Sequence, residues 1–120
     1  MRTIYRAFDA CPNLRIELSG YWLYRGIEYI TRTWGPERLL YGSNWPTFGP
    51  HMTLATLTCA EIDDEAKRRI AGDNLRELVA AGVRHRHPLW DERAVEREVI
   101  RLMIGDELFR RAYGKGSASR

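Results

Sequence analysis

Apolar residues recur along this chain with two different periods, and the switches between them mark its elements. Residues 3–11 place Ile4, Ala7, Phe8 and Cys11 at helical spacing, which predicts a helix broken at Pro12-Asn13. Leu14-Arg15-Ile16-Glu17-Leu18 then alternates apolar and charged residues, a strand pattern that Ser19-Gly20 ends. The alternation leaves Arg15 and Glu17 on one face, where a solvated or inter-strand ion pair is expected. Gly26 to Trp34 returns to the helical period with Ile27, Ile30 and Trp34 on one stripe, and Gly35-Pro36 stops it. Leu39, Leu40 and Tyr41 are apolar in succession, as in a short strand covered on both faces. Gly42 and Ser43 break that run, and Pro46 prevents its continuing. Two strands with a helix between them predict one right-handed βαβ unit with the strands parallel.

The second half reads as helices. Thr47 to Pro50 is a loop, and His51 to Ala60 is either a short helix or irregular. Asp63 is a candidate N-cap, with Asp64 and Glu65 in the first turn of a helix. Gly72-Asp73-Asn74 is expected to interrupt it, and Leu75 to Val79 resumes it before Gly82. Val83-Arg84-His85-Arg86-His87-Pro88 reads as a basic linker. Asp91 to Tyr113 then reads as one helix with Val95, Val99, Leu102, Phe109 and Tyr113 on its apolar face and Gly105 as a weak point. Gly114 to Arg120 should be a frayed end.

Composition narrows the class. A length of 120 residues suits one domain with a real core, and 44% apolar with 29% charged residues is ordinary for a globular chain. The net charge of +3 is uneven: residues 84–120 hold nine Lys/Arg against six Asp/Glu, and the rest is neutral. The acids interleaved among those bases argue against nucleic-acid binding. Cys11 and Cys59 have no metal-ligand spacing and are expected to be reduced, buried thiols. Arg2 is not followed by an apolar leader and no stretch approaches a membrane span, so the cytoplasm is the expected compartment.

The end of the second strand carries the candidate chemistry. Parallel α/β proteins place their sites at the carboxyl ends of strands. Asn44 stands there as a short polar side chain, and Trp45 would cover the site or pack beneath it. Arg38-Leu39-Leu40-Tyr41-Gly42-Ser43-Asn44-Trp45-Pro46 resembles the last-strand signature of the amidohydrolase-related family, metal-dependent TIM-barrel hydrolases and decarboxylases. Two further stretches resemble the same family. They are Pro12-Asn13 with the strand ending at Ser19-Gly20, and the acidic helix start followed by Gly72-Asp73-Asn74 and Leu75-Arg76-Glu77-Leu78.

The resemblance implies an α/β fold, a partial TIM barrel holding the equivalents of strands seven and eight with their helices over residues 1–82. Residues 83–120 would add the linker, an amphipathic helix and the tail. It also implies a divalent metal such as zinc in the family, with Ser19, Tyr21 and Trp45 facing a small-molecule substrate. In the Tyr21-Trp22-Leu23-Tyr24 cluster, packing under the next helix competes with that role. Asn44 occupies the position of the family's metal-site Asp, and a neutral amide neither supplies charge nor accepts a proton as a carboxylate does. The remaining ligands of the family lie on strands this sequence does not contain. His51 stands alone, and His85-Arg86-His87 has His-x-His spacing but no strand leading into it. The family Asn is expected to hold a helix junction, which assigns that task to Asn74. The chain is therefore expected to be a hydrolase fragment inactive by itself, completed by a missing barrel half. The alternative is a degenerate, non-catalytic relative that self-associates or binds a partner, since two strands leave open edges.

Overall fold

A computed structural model describes residues 2–21, 23–47 and 49–114. Trp22 of the aromatic cluster and residues 115–120 of the expected frayed end lie outside them. The chain forms two compact units, Met1–Leu75 and Arg76–Arg120.

The first unit opens with α1 (Arg2–Ala10), then β1 (Ile16–Glu17), α2 (Gly26–Trp34) and β2 (Leu39–Leu40). The strands pair in parallel, with Ile16 opposite Leu39 and Glu17 opposite Leu40, and α2 is their crossover. The expectation of two parallel strands joined by a helix holds for this segment. Both strands are shorter than their patterns, and β1 ends early for a visible reason. The Glu17 carboxylate accepts the Ser19 N–H at 2.9 Å and also the Ser19 hydroxyl, drawing Leu18–Gly20 into a 3₁₀ turn. Arg15 and Glu17 therefore form no ion pair with each other. Arg15 instead donates to the carbonyl of Asn74 at 3.2 Å. Leu39 is fully buried and Leu40 only partly, so the sheet is covered well on one face alone.

Phe8, Leu18, Ile27, Ile30, Leu39, Leu57 and Ile70 build the core of this unit. Arg38 is buried among them and acts as a clamp. Its guanidinium donates to the carbonyls of Phe8 (3.1 Å), Cys11 (2.8 Å) and Leu14 (2.7 Å) and lies over the Phe8 ring. These acceptors are the chain leaving α1, whose last carbonyls have no helical partner. A cation there suits the helix dipole as well. Trp34 stacks on Tyr5 and Phe8 and donates to Asp9 at 2.9 Å, tying α2 to α1.

The segment after the sheet is helical where two readings were open: α3 spans Pro50–Cys59. Asp63 caps α4 (Asp64–Arg68) by accepting the Ala66 N–H at 2.7 Å. Gly72-Asp73-Asn74 does not break the helix. The backbone widens into a π-helical turn over Arg69–Asp73 and continues as α5 (Asn74–Arg86). Asn74 is fully buried, and its amide donates to the carbonyls of Pro36 and Leu39, both at 2.8 Å. The junction role expected of it is what it performs. Cys11 and Cys59 are both exposed, contrary to expectation. Cys11 follows the last turn of α1, and Cys59 ends α3 on its outer side, so neither faces the core.

The second unit corrects two readings. Residues 83–86 are the end of α5 rather than a linker, because Val83 is completely buried with Val95 and Val99. Gly82 does not stop the helix, since a Val79-Val83 spacing rewards its continuing. The long C-terminal helix is two, α6 (Glu92–Ile104) and α7 (Asp106–Tyr113), parted at Gly105. Gly105 holds φ +83° and ψ 158°, a conformation nearly restricted to glycine. Arg76 pairs with Glu96 and Arg84 with Glu92, at 2.7 and 2.8 Å, which sets α5 and α6 antiparallel. Asp91 caps α6 through the Ala94 N–H at 2.8 Å. Among the described residues, no helix is long and apolar enough to cross a membrane.

Candidate functional site

The register of the two strands brings the Leu18–Gly20 turn and the loop after Leu40 to the same, carboxyl end of the sheet. Three expected site residues, Ser19, Asn44 and Trp45, stand on these two segments, and Tyr21 directly follows the first. They do not converge. Ser19 and Tyr21 line a cavity of about 10 Å³ with Leu18, Ile27, Thr53 and Thr56, space for about one water molecule and not for a substrate. Asn44 and Trp45 do not line it. Both are exposed, Trp45 by 70%.

Asn44 adopts φ +53°, the left-handed region that Asn and Asp tolerate better than other side chains. The loop it belongs to is anchored at its start, where the Tyr41 N–H donates to the Ile70 carbonyl at 3.0 Å. Tyr21 is half-buried, and its hydroxyl lies 3.4 Å from that of Tyr5. Burial first, and the contact with Tyr5 second, push the Tyr21 phenol well above its ordinary value. It stays protonated at any physiological pH and cannot act as a base. Gly26 makes room for this ring, since a Cβ there would stand 2.6 Å from Tyr21 Cε1.

Glu17 is the residue the sequence reading undervalued. Its carboxylate lies directly against Gly42, leaving no space for a Cβ at that position. It is the acid that the register places at the mouth of the two strands. Position at a strand end was the available signal, outweighed by the alternation that put Glu17 on the face of Arg15. Its two oxygens are engaged by Ser19, so it holds the turn in shape.

The donor set does not fit a metal ion. Among the described residues, no group of three or more His, Cys, Asp or Glu could hold one. Asn44 is neutral and brings no charge to a cation. His51 lies folded back against Gly49. His85 lies in the last turn of α5, while His87 stacks face to face on Trp90, with ring centres 3.8 Å apart and an interplanar angle of 9°. The His-x-His spacing thus forms no ligand pair on a strand.

A parallel βαβ unit with its polar loops at the carboxyl end of the sheet defines an α/β protein of the kind that builds sites there. Comparison with protein families narrows the class. The family model described as Amidohydrolase matches residues 1–80, and the chain belongs to that family. Family membership suggests a divalent metal cofactor for the family as a whole. No curated protein and no solved structure matches the chain.

Proposed function

We propose that this chain is the C-terminal part of a cytoplasmic metal-dependent amidohydrolase barrel. In this reading β1 and β2 are the equivalents of strands seven and eight, and residues 83–120 are an accessory helical extension. The carrying observation is the parallel β1-α2-β2 unit inside the 80 residues of family match, with one neighbour for each strand. In a closed barrel each strand has two neighbours, so each strand here presents an edge for the missing ones. Isolated, the chain is inactive, because Asn44 offers no charge and no group of three or more His, Cys, Asp or Glu stands together among the described residues. A small-molecule substrate and zinc would be handled only once the remaining strands supplied their ligands, with Ser19, Tyr21 and Trp45 on the substrate side.

Native mass spectrometry after incubation with zinc and dialysis tests this. The expected species carries no stoichiometric metal, and Asn44→Asp, which the left-handed backbone accommodates, gains none. Tight one-to-one zinc on either protein would overturn the reading, because it would require a complete ligand set within 120 residues. A second reading, a degenerate relative that has lost catalysis, is favoured by the neutral Asn44 itself. Mixing the chain with a barrel half made from an active family member separates the two. Restored activity with Asn44→Asp supports the fragment, and none with either form supports the degenerate relative.

A further inference from the structure

Most arginines of the second unit are already engaged within it. Arg76, Arg84, Arg101 and Arg111 pair with acids, while Arg86 and Arg110 donate to backbone carbonyls one turn away. Arg93 and Arg97 make neither a hydrogen bond nor an ion pair among the described residues. Both line one groove of about 320 Å³ between α6 and α7. They stand one turn apart on the same face of α6, so their heads can reach a common anion. Below the bend at Gly105, Phe109 and Tyr113 of α7 meet Ile100 of α6 to give this groove an apolar wall. Arg97 lies over the Phe109 ring, 5.2 Å from its centre, and the Phe109 and Tyr113 rings stack with centres 4.9 Å apart. A guanidinium held by its face keeps its N–H groups around the edge, open to an acceptor. Stacking also removes rotamer freedom that an exposed arginine would lose on binding. Glu96 is the acid among the lining residues, and Arg76 holds its carboxylate at 2.7 Å. The groove thus presents two cations without counter-ions.

We propose that this groove binds a small aryl phosphate, with the phosphate monoester between Arg93 and Arg97 and its ring against Ile100, Phe109 and Tyr113. A phosphate monoester carries about −1.5 to −2 charge at neutral pH, which balances two arginines. Its terminal oxygens can accept from both planar forks, whereas a lone carboxylate would balance just one. The aromatic pair on the wall favours a ring as the body of the ligand, since rings gain from offset or edge contacts beyond their buried area. The volume stands near the lower end of small-molecule pockets, roughly 300–1,000 Å³, which suits a single ring with its phosphate. Every lining residue falls beyond residues 1–80 of the family match, so this inference is independent of the barrel reading.

Titration of the isotope-labelled 120-residue chain with phenyl phosphate, followed by NMR at about 0.15 M salt, tests it. Saturable shifts are expected at amides of α6 and α7, with a midpoint of about 1 mM or below. Inorganic phosphate should bind at least ~10-fold more weakly, because it has no ring to set on the wall. Arg93→Gln and Arg97→Gln should each weaken phenyl phosphate ~10-fold or more. Arg111→Gln, which removes a cation paired with Glu107 outside the groove, should leave the affinity unchanged. Circular dichroism checks that the variants keep their helices, and the comparison of the two probes on the unaltered chain decides the matter even if one unfolds. No saturable shift with phenyl phosphate would overturn the proposal. Equal affinity for inorganic phosphate would overturn it too, since bare charge attraction would then suffice. So would binding that ignores Arg93→Gln and Arg97→Gln, or that Arg111→Gln weakens as much.

Discussion

Two polar side chains hold the first unit together, and each makes a quantitative prediction. Arg38 donates to three carbonyls of the chain leaving α1, those of Phe8, Cys11 and Leu14. Arg38→Met keeps the bulk and removes every donor, so unfolding free energy from urea titration should fall on the order of 3 kcal/mol. Asn74 is a sharper case because its amide faces two carbonyls. Asn74→Ala should cost about 2 kcal/mol for the lost donors. Asn74→Asp should cost more than Asn74→Ala, since it turns a carboxylate toward two acceptors in a buried place. An Asp variant as stable as the Ala variant would show that the amide does not donate there. Asn74 was legible in the sequence through the family resemblance. Arg38 was not, because an arginine beside a strand looks the same whether its head meets water or the end of a helix.

At the scale of elements, the chain uses backbone irregularities where the pattern suggested breaks. Gly72-Asp73 is absorbed by a π turn, and the Ile70 carbonyl within that turn is the acceptor that anchors Tyr41. Gly105 does the opposite and divides a continuous apolar pattern into α6 and α7. A Cβ at Gly105 would meet no atom within 4 Å, so any penalty there is purely one of backbone conformation. Gly105→Ala should therefore disfavour the bend by ~1–3 kcal/mol and drive α6 and α7 toward one straight helix. Circular dichroism should show helicity retained or increased, and NMR should show loss of the contact that sets Arg97 over the Phe109 ring. Persistence of that contact would mean that packing, not Gly105, sets the bend.

For the molecule as a whole, acid is the expected weakness. Burial works to raise the Glu28 carboxyl, but the Glu61 N–H with Arg25 and Arg32 outweighs it and leaves the group below its ordinary value of 4.5. In the second unit, the hydrogen bond from Arg101 lowers Glu98, with Arg86 and His87 adding to it against burial. A carboxyl depressed on folding contributes stability that is present above its unfolded value and lost as pH falls through the folded one. Melting temperature should thus be flat with respect to these groups from pH 7 to 5 and decline below about 4.5. Glu28→Gln should start from lower stability at pH 7 and decline less.

The sequence by itself determined the helix–strand–helix–strand order, the capping at Asp63, and the family. These rest on local periodicity, on short-range cap geometry and on contiguous motifs, all of which survive without knowledge of distant neighbours. Tertiary structure decided the rest. The strand β1 ends where Glu17 finds Ser19, and Gly82 stays helical because Val83 has Val95 and Val99 to meet. Asn44 and Trp45 are exposed and line no part of the water-sized space that Ser19 and Tyr21 share. Whether a side chain works or merely packs depends on what long-range contacts bring beside it, and a linear pattern contains no such distances.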